Sequence, residues 1–274
     1  MLLSLRDRLG PDPSAVLVEF ATLALMAGGL ARSSLRRRLP ASMVLKNPRD
    51  YQTEVDVEIE RLIVDGITRA FPDFAIKGEE GVGDRSAAAD APLVHIDPID
   101  GTTNFAWGIP HFAIVIALEV KGEITAGVVY DCMMDELFTA EMGRGAYADG
   151  IRLACSQDAD VANALIGAGL PVPGQVKSVA TETYHRSVRR LMDQAAGVRR
   201  LGSAALSIAY VACQRLDGFF EDGLSEHDYA ASVLILREAG GIVTGFDGGP
   251  VSGQSAILAA GPGLHPWLIQ GFRD

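Results

Sequence analysis

Two carboxylates three residues apart close an apolar run in Leu93-Val94-His95-Ile96-Asp97-Pro98-Ile99-Asp100-Gly101-Thr102-Thr103-Asn104-Phe105, and hydroxyl-bearing residues follow at once. Taken alone, Asp-Pro and Asp-Gly are ordinary turn formers. At the end of a strand they acquire a second meaning, because ligands of α/β proteins gather there and Gly101 lets backbone N–H groups come close to an anion. The chemistry this predicts is a phosphate held over a metal ion. A second acidic spot, Gly78-Glu79-Glu80-Gly81, ends a shorter β-like run upstream. A third, Glu221 with Glu226-His227-Asp228, lies beside a helix start. Asp228 has an independent reason to be there, since an acid in the first helical turn gains about 0.3–1 kcal/mol from the helix dipole.

Thr53-Glu54-Val55-Asp56 has the form of a capping box, and Val55, Ile59, Leu62, Ile63, Ile67 and Ala70 recur behind it at helical spacing, which puts Asp56 in the first turn. Short β-like runs follow at 74–77, 93–96, 112–120, 124–130 and 136–140, with Lys121-Gly122-Glu123 as a hairpin turn. The second half alternates: strand near 164–168, helices over 176–196 and 203–213, strand 218–221, helix 229–239, strands 242–244 and 256–260, and a short helix after Pro262. At the N-terminus, Asp12-Pro13 reads as an N-cap with proline at the first helical position, opening a helix to about Arg38; a loop carrying Lys46, Pro48 and Asp50 comes next. The pattern predicts a mixed, layered α/β sandwich. It is expected to form one compact unit over 1–274, with an N-terminal α+β half to about 150 and a C-terminal α/β half beyond it.

The 274 residues are 48% hydrophobic and 22% charged, the balance of a soluble globular chain. A formal net charge of −11 opposes attraction to phosphate backbones, so no nucleic-acid partner is expected. Cys132, Cys155 and Cys213 are odd in number and widely spaced, without a zinc or disulfide pattern, which fits a reducing, cytoplasmic setting. The longest apolar stretch, Ala15 to Ala31, is interrupted by Glu19, contains Gly28-Gly29 and runs into Arg32, Arg36, Arg37 and Arg38. It reads as an amphipathic surface helix rather than a membrane span, so no membrane partner is expected.

The order of the pieces resembles the inositol monophosphatase family: Thr53-x-x-Asp56, Gly78-Glu79-Glu80, Asp97-Pro98-Ile99-Asp100-Gly101-Thr102, Gly202-Ser203-Ala204-Ala205, then His227-Asp228 with Glu238-Ala239-Gly240-Gly241. The resemblance covers roughly Lys46 to Gly241, and Asp-Pro-Ile-Asp-Gly-Thr-Thr-Asn-Phe is its most specific part. It implies the layered αβαβα sandwich of the inositol monophosphatase and fructose-1,6-bisphosphatase type, Mg²⁺-dependent hydrolysis of a small alcohol phosphate, and a homodimer. By the same resemblance Glu79, Asp97, Asp100, Asp228 and the carbonyl of Ile99 bind two to three Mg²⁺ ions, for which Mn²⁺ could substitute. Asp56 and Thr102, with Glu79, direct the attacking water, and the backbone N–H groups of Gly101 and Thr102 hold phosphate. Ser203, Ala204 and Glu221, with Asp100 and Asp228, contact the alcohol, and Lys46 matches a loop lysine. The chemistry agrees: an all-oxygen donor set suits Mg²⁺ or Mn²⁺ rather than zinc. Two converged carboxylates about 4 Å apart repel by about 4 kcal/mol at an effective dielectric of 20, which bound cations offset.

His227 departs from the pattern, standing where the family has tryptophan. That leaves other esters beside inositol 1-phosphate: histidinol phosphate, a nucleotide 3′-phosphate, or fructose 1,6-bisphosphate, for whose second phosphate Lys46, Arg199 and Arg200 are the basic candidates. Phosphatases with an aspartyl nucleophile need their aspartates two apart, whereas Asp97 and Asp100 are three apart. A different class of function is a regulatory binding protein on a phosphatase scaffold, with the Arg32–Arg38 cluster as its first candidate surface.

Overall fold

Helix α1 covers Leu5–Arg8 and α2 Ala15–Ser34, followed by a hairpin of β1, Met43–Asn47, and β2, Asp50–Thr53. Helix α3, Glu54–Ala70, leads to β3, Ala75–Gly78, and β4, Leu93–Asp100, and then to the short α4, Thr102–Trp107. Strands β5, Ala113–Val120, β6, Glu123–Asp131, β7, Glu136–Glu141, β8, Gly145–Ala148, and β9, Ile151–Arg152, complete the first half. The second half runs β10, Leu165–Ala168; α5, Thr181–Gln194; β11, Gly197–Arg199; α6, Ala204–Ala212; β12, Gly218–Leu224; α7, Glu226–Glu238; β13, Ile242–Thr244; β14, Ser255–Ala260; and α8, His265–Gln270. This computed structural model describes residues 3–35, 43–47, 50–88, 90–158 and 160–273, with backbone alone over 43–47 and 50–52.

Strands β3 to β9 form a seven-stranded sheet in sequence order, antiparallel except for the parallel β3–β4 pair. The second sheet has five strands in the order β11-β10-β12-β14-β13. Alternation along β5 and β6 decides what each face of the first sheet meets. Ile114, Ile116, Val128 and Tyr130 pack with Phe20, Ala24 and Ala27 of α2 and Ile59 and Ile63 of α3. Their neighbours Val115, Ala117 and Val129 pack with α6, α7 and the inner face of the second sheet. Ile166, Phe220 and Leu258 point from that sheet's outer face to Tyr184 and Leu191 of α5 and Leu268 and Ile269 of α8. The layers are therefore αβαβα. Helix α6, between two sheets, is apolar except for Ser207 and Tyr210, whose hydroxyls donate to the Ser203 carbonyl and to Asp131.

Local physics moves several boundaries. Helix α2 is capped by the Ser14 hydroxyl, which accepts from the N–H of Leu17, not by Asp12, whose φ is +49°. Its described part ends at Ser34, and Arg36, Arg37 and Arg38 lie outside the described residues. Although long and apolar enough to cross a membrane, α2 buries Phe20, Ala21, Ala24, Ala27 and Ala31 completely in the core. Helix α5 starts at Thr181 rather than near Val176, because the Asp222 carboxylate takes the N–H groups of Lys177 and Ser178 at 2.8 Å each. Helix α7 starts at Glu226, three residues before Tyr229, on a capping box between Ser225 and Asp228. The segment read as a loop around Lys46 is the β1–β2 hairpin; the Lys46 side chain lies outside the described ones. Lys121 and Gly122 both take positive φ in the tight β5–β6 turn, as a two-residue hairpin loop requires.

Candidate active site

The ends of three elements meet at one place. Ligand atoms of Asp97 and Asp100, on β4, and of Asp228, on the first turn of α7, all lie within 4.8 Å of one another. The β4–β5 ladder slips between Asp97 and Asp100, a bulge that frees both side chains from strict alternation. Asp97 Oδ1 accepts the N–H of Ile99 at 3.0 Å, and Thr102 Oγ1 donates to the Ile99 carbonyl at 3.0 Å, so the Asp-Pro-Ile-Asp turn is tied internally. Gly101, with φ +104°, then opens α4; a Cβ there would lie 3.1 Å from the carbonyl oxygen of Gly202. Asn104 closes the same contact by donating at 2.8 Å to the carbonyls of His111 and Leu201.

Asp100 is anchored by the start of α6. The Ser203 hydroxyl and the N–H of Ala205, the latter at 2.9 Å, donate to its Oδ2, and the N–H of Ala204 donates to its Oδ1 at 3.2 Å. Ser203 and Ala204, expected at the alcohol, thus serve Asp100 in this geometry. Asp228 Oδ2 accepts the N–H of Ser225 at 2.6 Å, and His227 Nε2 lies 3.8 Å from its Oδ1.

Asp56 is fully buried at the third position of α3, where its Oδ2 accepts the N–H of Thr53 at 2.9 Å as well as the Thr53 hydroxyl. Its hydroxyl partner is therefore Thr53, while Thr102 is turned to Ile99. Replacing Thr53 with alanine removes one side of this capping box, and an expected loss of about 1 kcal/mol should show in urea unfolding. One helical turn on from Asp56, the buried Glu60 accepts the N–H of Glu80 at 2.8 Å and of Val82 at 2.5 Å, fixing the turn that presents Glu79. Glu60 was not singled out from the sequence, although its i+4 spacing from Asp56 puts both on one helix face. Gln175, which bonds Glu221, and Asp222, which holds the backbone of Lys177 and Ser178, carried no sequence signal at all.

Burial dominates the electrostatics. It pushes Asp56 up to about 7 against the hydrogen bonds from Thr53, with Glu79 and Glu80 adding repulsion. Asp100 rises to about 7, burial outweighing the bonds from Ser203, Ala204 and Ala205 while Asp228 adds repulsion. Glu60 reaches about 7 by burial, opposed by its two N–H donors. Asp97 lies well above the ordinary carboxylate range through burial and the charges of Glu79, Asp100 and Asp228, and it shares a hydrogen bond with Glu79. Glu221, on β12, is raised to about 7 by burial; Arg200 opposes the shift and Asp100 and Asp228 add to it. Asp56 Oδ1 is buried without a hydrogen-bond partner among the described residues. Crowded, partly desolvated oxygen donors with an unmet acceptor beside them fit a hard divalent cation and its waters.

A five-layer αβαβα sandwich that gathers carboxylates at the ends of β4 and α7 defines a protein of phosphatase type. The chain belongs to the inositol monophosphatase family, whose sequence profile matches residues 12–274. It is 43% identical to the Nus factor SuhB of Pseudomonas aeruginosa over 241 residues, 87% of this chain and 88% of that protein. It is 39% identical to the inositol-1-monophosphatase of Mesorhizobium japonicum over 251 residues, 90% of this chain and 92% of that one. The crystal structure of the extragenic suppressor protein suhB from Bartonella henselae matches with a TM-score of 0.89 at 37% identity, covering 95% of this chain and 99% of that one. Relatives named as Nus factors leave the expected absence of a nucleic-acid partner without support.

Proposed function

We propose that the chain is a cytoplasmic, Mg²⁺-dependent phosphomonoesterase that hydrolyses a small alcohol phosphate, with inositol 1-phosphate as its first substrate. The observation that carries this reading is the convergence of Asp97, Asp100 and Asp228 within 4.8 Å. With Glu79 and the Ile99 carbonyl, these residues would hold the cations. Bound Mg²⁺ supplies a water of lowered pKa and neutralises charge on the phosphate and leaving oxygens. Asp56 accepts the proton of the attacking water at Oδ1, the oxygen left without a partner. Thr102, its hydroxyl hydrogen given to Ile99, offers lone pairs that orient that water. The N–H groups of Gly101 and Thr102 at the start of α4 bind phosphate oxygens. Glu221 and Asp228 face the alcohol with acceptors, and the functional unit is a homodimer.

The test is phosphate release from inositol 1-phosphate, histidinol phosphate, fructose 1,6-bisphosphate and a nucleotide 3′-phosphate, each with Mg²⁺ and with chelator. The expected order puts inositol 1-phosphate first in kcat/KM; a tenfold better ester would reassign the substrate. A second reading, a regulatory binding role, rests on the identity to proteins named Nus factor. It requires Asp97→Asn, blank for turnover, to complement a strain lacking its own SuhB; failure to complement removes it.

A further inference from the structure

The segment between β10 and α5 is pinned to β12, the strand that carries Glu221. Gln175 Nε2 donates to Glu221 Oε1 at 3.1 Å and to the Asp222 carbonyl at 3.2 Å, while its Oε1 accepts the N–H of Val172 at 3.1 Å. Both amide hydrogens are consumed, so Gln175 acts as a strut and has none left for a ligand. The buried Asp222 holds the same segment with three bonds of 2.8 Å, from the N–H groups of Lys177 and Ser178 and from the Ser178 hydroxyl. From the other side, Gly169 backs directly onto the Glu221 stem: a Cβ at Gly169 would lie 2.4 Å from Glu221 Cγ. Gly169 is itself fixed by the Phe220 carbonyl at 2.8 Å and the Tyr184 hydroxyl at 2.7 Å.

Among the described residues, Gln175 is the only hydrogen-bond donor to Glu221, and it uses Oε1 alone. The β12–β14 ladder slips just after Glu221, which sits within electrostatic reach of Asp100, Asp228 and Arg200. We propose that Gln175 is the positioning residue for the alcohol half of the substrate: it fixes Glu221 through Oε1 and leaves Oε2 to accept hydroxyls of a polyol monophosphate. This rests on the phosphomonoesterase reading above.

The test compares wild type, Gln175→Leu and Gln175→Glu on inositol 1-phosphate and on para-nitrophenyl phosphate, an ester without hydroxyls, at saturating Mg²⁺. Gln175→Glu keeps the length without the donors, so it serves even where Gln175→Leu fails to fold. Both variants are expected to raise KM for inositol 1-phosphate about tenfold, the worth of one hydrogen bond to a charged group. The kcat on that ester and the kcat/KM on para-nitrophenyl phosphate should hold within about twofold. An equal loss on both esters, or an unchanged KM for the polyol, overturns the role of Gln175. Wild-type protein that turns over neither ester overturns the underlying phosphatase reading, a result distinct from turnover without discrimination.

Discussion

Asp97→Asn should lower kcat on inositol 1-phosphate by about 10³-fold or more, corresponding to about 4 kcal/mol of lost transition-state stabilisation. It should also raise the Tm measured in chelator. Both effects come from one cause. Asp97 is 1% exposed and crowded by Glu79, Asp100 and Asp228, so its charge is unfavourable to the fold and useful only when a cation neutralises it. Asparagine keeps the shape and the Oδ1 acceptor for the N–H of Ile99, which removes charge without opening a cavity. Each kcal/mol gained should appear as about 2–4 °C in a chain of this size. A variant that loses activity together with stability would mean that Asp97 serves the fold instead of a cation. Calorimetry beside the kinetic assay decides between the two.

The second large effect is a dependence of stability on pH that Mg²⁺ changes. Asp56, Asp100, Glu60 and Glu221 titrate near 7 in the folded chain, against about 4 when unfolded. Protons therefore bind the folded state more tightly. The resulting stabilisation is full below about pH 4 and is lost as pH rises through about 7, at roughly 1.4 kcal/mol per group for each pH unit between the two values. In chelator, the Tm should fall steadily from pH 5 to pH 8. Mg²⁺ is expected to bind Asp97, Asp100 and Asp228 in their ionised forms, and at a hundredfold its Kd it would restore about 2.7 kcal/mol. The two Tm curves should thus separate as pH rises. Parallel curves would show that Asp97, Asp100 and Asp228 do not share a cation.

Periodicity carried most of the fold into the sequence. The residues of β5 and β6 alternate between two cores, and α3 shows both its cap and its apolar stripe, so strand and helix identities followed from spacing. The starts of α2 and α7 move to local caps at Ser14 and Ser225, whereas that of α5 is set by a side chain acting at a distance. Asp222 draws the N–H groups of Lys177 and Ser178 away from α5, and no local pattern around Val176 reports a carboxylate on another strand. The short strands β8, β9 and β11 have too few residues to display a period. At the site, Asp97, Asp100 and Asp228 were legible because their spacing repeats a family pattern, and the structure gathers them. The partners that fix them were less so. Ser203 bonding Asp100 and Gln175 bonding Glu221 link residues far apart in the chain, which a single sequence does not couple.

The most direct measurement is phosphate release from inositol 1-phosphate by the wild-type chain as Mg²⁺ is titrated from chelator to saturation. Release should be absent in chelator and rise to a plateau with Mg²⁺, with no phosphate trapped on Asp97. Release that ignores the chelator, no release at any Mg²⁺ concentration, or a phosphorylated Asp97 would contradict a cation-assisted attack of water at this site.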